Sequence, residues 1–122
     1  MPVLYDSILD YIWGDLSMKK RIMLICAAGM STSLLVTKMQ KAAHELGEYV
    51  EIFALPLNAG KKEIANVDCV LLGPQVRYAK TEIESIIEES GKKIPYAIID
   101  MKDYGLMDGK TVFAKAMKLM SK

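Results

Sequence analysis

Arg21-Ile22-Met23-Leu24-Ile25-Cys26-Ala27-Ala28-Gly29-Met30-Ser31-Thr32-Ser33 is the stretch that decides the fold. An apolar run of strand length ends on a cysteine, passes through a turn of small residues, and opens on hydroxyl residues of the kind that start helices. Outward from it the same beat continues: Arg21–Cys26 strand, Ser31–Leu46 helix, Val50–Leu55 strand, and Gly60–Ile64 a turn or short helix. Val67–Leu72 then reads as strand, Val76–Glu89 as helix, Ile94–Asp100 as strand and Gly109–Met120 as a last helix. Cys69-Val70-Leu71-Leu72 and Ala97-Ile98-Ile99 are apolar without alternation, as strands covered on both faces are. These elements predict an α/β chain: a three-layer open sandwich around a four-stranded parallel sheet in the flavodoxin-like order 2-1-3-4. In that order the first and third strands are neighbours, and a cleft opens at their carboxyl ends. Both Cys26 and Gly73-Pro74-Gln75 fall there.

The chain has 122 residues, enough for one core without staples. Sixteen Lys and Arg against 15 Asp and Glu give a formal charge of +1, which offers no net field for gathering nucleic acid. Lys19-Lys20-Arg21 reads as a solvated lead-in to the first strand. Two distant cysteines and a single histidine, His44, lack the spacing of a metal site, so neither metal nor cofactor is expected. His44 stands where it can interact with the last carbonyls of the first helix. No apolar stretch approaches the ~18 residues of a membrane span, and the amino terminus carries Asp6, Asp10 and Asp15 rather than the basic start of a secretory signal. A cytoplasmic protein with reduced thiols is expected. Residues 1–17 stand apart as an amino-terminal extension ahead of a domain at 18–122. Val3, Leu4, Ile8, Leu9, Ile12, Trp13 and Leu16 recur at helical spacing, which fits an amphipathic helix docking on this domain or on a partner. Residues introduced by cloning are the alternative, and the sequence leaves both open.

A cysteine between a strand's carboxyl end and a helix's amino end sits among backbone N–H groups that stabilise a thiolate and any phosphate it carries. An ordinary thiol is only a few per cent ionised at neutral pH, and half ionisation takes about 2 kcal/mol of preferential anion stabilisation. One helix terminus in a favourable setting supplies about that much. Gly29 lets the backbone approach an oxyanion, Ala27 and Ala28 keep the mouth uncrowded, and one of Ser31, Thr32 and Ser33 caps the helix. A buried, inert thiol at a strand end fits the same residues, so position alone leaves Cys26 open between the two.

Ile25-Cys26-Ala27-Ala28-Gly29-Met30-Ser31-Thr32-Ser33-Leu34-Leu35 resembles the active loop of IIB subunits of the bacterial sugar phosphotransferase system, lactose/cellobiose (chitobiose) family. Gly73-Pro74-Gln75-Val76-Arg77-Tyr78, Asp100, Tyr104-Gly105 and Asp108-Gly109 match the same family in order and spacing, and the likeness spans about residues 19–120. The resemblance implies a phosphoryl carrier with a phosphotyrosine-phosphatase-like fold. It implies that Cys26 is the catalytic acceptor, receiving phosphate from a histidine of a IIA protein and passing it to a sugar bound by the IIC permease, typically a β-linked disaccharide. That is the activity of a protein-Nπ-phosphohistidine–sugar phosphotransferase working peripherally to the membrane permease. Backbone N–H groups along Ala27, Ala28, Gly29, Met30, Ser31, Thr32 and Ser33 would form the phosphate loop, with Gln75, Tyr78 and Tyr104 as candidate partner contacts.

The rival is a low-molecular-weight phosphatase, which also sets a cysteine loop after the first strand of a four-stranded parallel sheet. Its motif needs arginine six positions after the cysteine, and Thr32 stands there, so the bidentate clamp on a phosphoryl transition state is missing. Asp103-Tyr104 is similar to that family's general-acid pair and reads as a solvated loop pair. Cys69 reads as core, Tyr78 as half-buried packing, and the thioether of Met30 as a surface for partners.

Overall fold

The computed structural model describes residues 19–27 and 30–121. The extension at 1–17 and the loop positions Ala28 and Gly29 lie outside the described residues, as do the side chains of Met30 and Ser31. The elements in chain order are β1 (Lys20–Cys26), α1 (Met30–Glu45), β2 (Val50–Pro56), α2 (Leu57–Glu63) with a 3-10 turn at Ile64–Asn66, and β3 (Cys69–Leu72). A 3-10 segment (Pro74–Ala79) leads into α3 (Lys80–Ser90), followed by β4 (Tyr96–Ile98), α4 (Met101–Gly105) and α5 (Gly109–Met120). The sheet runs β2-β1-β3-β4 with every neighbour parallel, the 2-1-3-4 order that the sequence predicts.

β1 is central because it is apolar on both faces. Ile22, Met23, Leu24 and Ile25 are all fully buried, each contributing about 1.5–3 kcal/mol of burial free energy. The two-residue period divides them. Ile22 and Leu24 pack with Leu35, Met39 and Phe113 under α1 and α5, while Met23 and Ile25 pack with Val70, Leu72 and Ile83 under α2 and α3. At the α1–α5 contact a Cβ on Gly109 would lie 2.6 Å from the carbonyl carbon of Lys38, so only glycine lets these helices meet this closely.

Element boundaries depart from the sequence reading where backbone hydrogen bonds are diverted. The third strand starts at Cys69 and not at Val67, because the Val67 N–H closes the 3-10 turn onto Ile64 O at 3.3 Å. Regular helix begins at Lys80 and not at Val76, since Pro74 starts a 3-10 segment that kinks at Val76 (φ −117°, ψ 22°). The fourth strand contracts to Tyr96–Ile98: Pro95 has no N–H to donate, although its carbonyl accepts from Val70 at 3.0 Å. Helix α4 has no counterpart in the sequence reading. Asp100, two residues past the strand, caps that helix, accepting from Lys102 N at 2.8 Å and Asp103 N at 3.4 Å. Among the described residues no helix is long and apolar enough to cross a membrane.

Candidate functional site

Cys26 is the last residue of β1, paired in register with Pro56 of β2, and α1 begins four residues later. Parallel strands deliver their carboxyl ends to one edge of the sheet, so Cys26, Pro56 and Gly73 meet there beside the amino end of a 16-residue helix. The first turn of any helix leaves N–H groups without intrahelical partners and presents the positive end of the helix dipole. The Cys26 side chain is withdrawn, with the residue 2% exposed and Sγ 3.8 Å from Leu55 O.

The β3 side of the cleft is set by backbone. Gly73 N donates to Ile25 O at 2.8 Å, and a Cβ on Gly73 would lie 3.4 Å from that oxygen and 4.0 Å from the Cys26 Cα. A Cβ there would rest in ordinary contact with the strand end that carries the thiol. Gln75 folds back over this point, its Oε1 3.2 Å from where that Cβ would be. Tyr78 is 74% exposed, so the expected half-buried packing is wrong; the 3-10 geometry of Pro74–Ala79 turns its ring outward.

Thr32, which occupies the position of the phosphatase arginine, is 1% exposed, and its hydroxyl lies 3.4 Å from the Tyr104 hydroxyl. Asp103 and Tyr104 are 8% and 9% exposed, which overturns the reading of a solvated loop pair. Helix α4 turns them inward: the Tyr104 ring joins the core under α1 and α5, and the Asp103 carboxylate takes Lys115 Nζ at 2.7 Å. That contact pushes the Lys115 ammonium above its ordinary range. Tyr104 therefore reaches the thiol loop from inside, through Thr32.

A match to the family model of the phosphotransferase system lactose/cellobiose-specific IIB subunit runs over residues 21–115, from the start of β1 into α5. The chain belongs to the lactose/cellobiose-specific IIB family. It is 43% identical over 101 residues to the oligo-beta-mannoside-specific EIIB component of Bacillus subtilis, covering 83% of this chain and 96% of the relative. It is 48% identical over 107 residues to the galactose-specific EIIB component of Lactococcus lactis subsp. cremoris, covering 84% and 97%. The solution structure of a cellobiose-specific IIB component from Borrelia burgdorferi superposes with a TM-score of 0.69 at 36% identity, over 84% of this chain and 93% of that one.

Within this IIB fold the two cysteines, both buried, lie at opposite ends of the sheet. Cys69 opens β3 at the far end of the sheet, fully buried, and burial pushes its thiol up to about 12, with the Asp68 carboxylate adding to the effect. It stays protonated and inert, the core residue that the sequence predicts. Sequence reasoning missed α4 and the Asp103–Lys115 pair. The only local signal for them was the capping aspartate at Asp100, ahead of a helix of five residues.

Proposed function

We propose that Cys26 is the phosphoryl acceptor of a sugar phosphotransferase relay. The observation that carries this reading is its place at the carboxyl end of the central strand, four residues before the amino end of α1. In the first step the sulfur attacks the phosphorus of a phosphohistidine on a IIA protein. The P–N bond breaks, an S–P bond forms, and the thiol proton ends on the released imidazole. In the second step a hydroxyl of a sugar held by the IIC permease attacks phosphorus, the S–P bond breaks and Cys26 regains its proton from that hydroxyl. Both steps ask the protein for positioning and charge stabilisation and little else. The backbone along residues 27–33 cradles the phosphoryl oxygens, while Thr32 anchors the loop through Tyr104 and supplies no arginine clamp for hydrolysis.

A thiol that is 2% exposed must be uncovered before a phosphohistidine can reach it, so docking of IIA includes movement of the thiol loop. Gln75 and Tyr78, exposed beside that loop, are the surface against which partners dock. The sugar class is β-linked disaccharides, in keeping with the cellobiose and oligo-beta-mannoside names of two similar proteins. We assign residues 18–122 to the carrier domain, which works at the cytoplasmic face of the permease.

The test supplies phosphoenolpyruvate, the general phosphocarrier proteins and a cognate IIA, and follows the intact mass of the native chain, Cys26→Ser and Cys69→Ser. One phosphoryl group is expected on the native chain and on Cys69→Ser, and none on Cys26→Ser. Label retained without Cys26 refutes the assignment. The phosphorylated protein, isolated and left in buffer, should lose phosphate far more slowly than it transfers phosphate to sugar; comparable rates would favour the phosphatase reading.

A further inference from the structure

Tyr104 brings a hydroxyl to the core side of the thiol loop. Its ring joins Leu35, Met39 and Phe113 in the core, and its oxygen lies 3.4 Å from the Thr32 hydroxyl, 72 positions earlier in the chain. Both residues are buried. Thr32 is the third residue of α1, so its backbone N–H is among the first-turn donors that have no intrahelical partner. Tyr104 is in turn held by α4, which Asp100 caps and whose Asp103 carboxylate takes Lys115 Nζ at 2.7 Å. This five-residue helix links α5 to the first turn of α1 through a pair of side-chain hydroxyls.

Stability alone does not require that pair. A neutral hydroxyl–hydroxyl bond as long as 3.4 Å is weak, and replacing both partners of a buried bond by apolar groups of the same shape leaves stability nearly unchanged. Phenylalanine and valine would fill the same space. What the hydroxyls add is direction: they tie the Thr32 side chain to one place, and with it the backbone turn on which a phosphoryl group would be held. We propose that Tyr104 is a positioning residue for phosphoryl transfer, acting through the Thr32 hydroxyl on the first turn of α1. This rests on Cys26 as the phosphoryl acceptor. Tyr104 holds the turn still while the S–P bond forms and breaks, so loss of its hydroxyl slows the step. Both side chains are buried and offer nothing to a docking partner, so partner affinity is left as it was.

The test is single-turnover transfer from phosphorylated IIA over a range of IIA concentrations, for native protein, Tyr104→Phe, Thr32→Val, Thr32→Ser and the double variant Tyr104→Phe/Thr32→Val. Tyr104→Phe is expected to lower the limiting rate about tenfold, within the roughly 100-fold that a misplacement of 1 Å can cost, with the half-saturating IIA concentration unchanged. Thr32→Val should give the same loss, Thr32→Ser should keep a rate close to native, and the double variant should be no slower than either single one. The double variant exchanges both hydroxyls for matched apolar groups, so it should melt near the parent's temperature while remaining slow. Native-like rates in Tyr104→Phe, a loss expressed only in half-saturation, or losses that multiply in the double variant would each overturn the proposal. So would Thr32→Ser as slow as Thr32→Val, or rates that track the melting temperature across the variants. The native chain tests the underlying reading separately: no phosphoryl group on its Cys26 refutes the acceptor and this proposal together, whereas a labelled native chain with an unslowed Tyr104→Phe refutes this proposal alone.

Discussion

Gly109→Ala is expected to loosen the contact that seats the thiol loop, and its size follows from three distances. A Cβ at Gly109 would meet the Lys38 carbonyl carbon at 2.6 Å, the Lys38 Cβ at 2.6 Å and Met39 N at 2.7 Å, against 3.4–4 Å for ordinary contact. Two of these three are backbone atoms, so no rotamer change relieves the clash; α1 and α5 must separate by about 0.8 Å. Overpacking of this kind costs about 1–3 kcal/mol, and fixed backbone places this case near the top. Alanine returns about 0.4–1 kcal/mol by restricting the unfolded chain. The net loss is about 2 kcal/mol, or a fall in Tm of roughly 6–10 °C for a chain of this length. Gly105→Ala is the control: nothing lies within 4 Å of its Cβ position and its φ is ordinary, so it should match or slightly exceed the parent. Thermal unfolding followed by circular dichroism separates the two. Because α1 also carries the thiol loop, phosphoryl transfer should slow in Gly109→Ala and not in Gly105→Ala. A Gly109→Ala protein melting at or above Gly105→Ala would refute the close-approach argument.

Asp108→Ala removes the side chain that accepts from Thr111 N at 3.1 Å and from Thr111 Oγ1 at 2.8 Å, so α5 loses its cap and urea unfolding should register about 1 kcal/mol. Those bonds hold the Asp108 carboxyl below its ordinary range, so the contribution is present above the unfolded carboxylate range and fades as pH falls through the folded value. Cys69 works in the opposite direction: its folded value of about 12 against 9.0 makes its contribution complete below pH 9 and lost as pH rises toward 12. Native protein should lose about 2 kcal/mol more than Cys69→Val between pH 9 and about 10.5, and equal losses would show that the thiol does not titrate this way. Both thiols are buried, so iodoacetamide at neutral pH should alkylate each far more slowly in native protein than in denaturant, with Cys69, which stays protonated, the slower of the two; early labelling of Cys69 would contradict its burial.

What the sequence disclosed and what it withheld divide along the range of the interactions. Strand order was legible because each apolar run bounded by turn residues is a local signal, and right-handed crossovers leave few ways to arrange four of them. Cys26 was legible as a loop residue for the same reason. Its exposure was not, because Leu55 comes from another strand, 29 positions away. Thr32 and Tyr104 are 72 positions apart, and no periodicity in either segment announces that their hydroxyls meet. Asp103 reads as solvated until Lys115, 12 positions on and one helical element away, is seen to neutralise it. Tyr78 failed for a local reason: Pro74 imposes a 3-10 turn, with three residues per turn where regular helix has 3.6, and the side-chain directions rotate accordingly.

The polarity of β1 ties the two ends of the molecule together. Its first residue, Lys20, lines an open groove with a basic rim and its last, Cys26, carries the thiol, with roughly 20 Å of strand between them, buried from Ile22 onward. A parallel sheet collects helix amino ends and strand carboxyl ends on one edge, and that edge suits a phosphoryl group. The opposite edge receives helix carboxyl ends, here the last residues of α5, and takes its positive charge from lysine and arginine side chains instead. The first offers the amino end of α1 beside Cys26; the second carries flexible basic side chains over an apolar floor. Lys20 and Lys93 thus stand about two Debye lengths from the Cys26 edge at physiological salt, so charge changes there should leave the proposed phosphorylation of Cys26 unaltered.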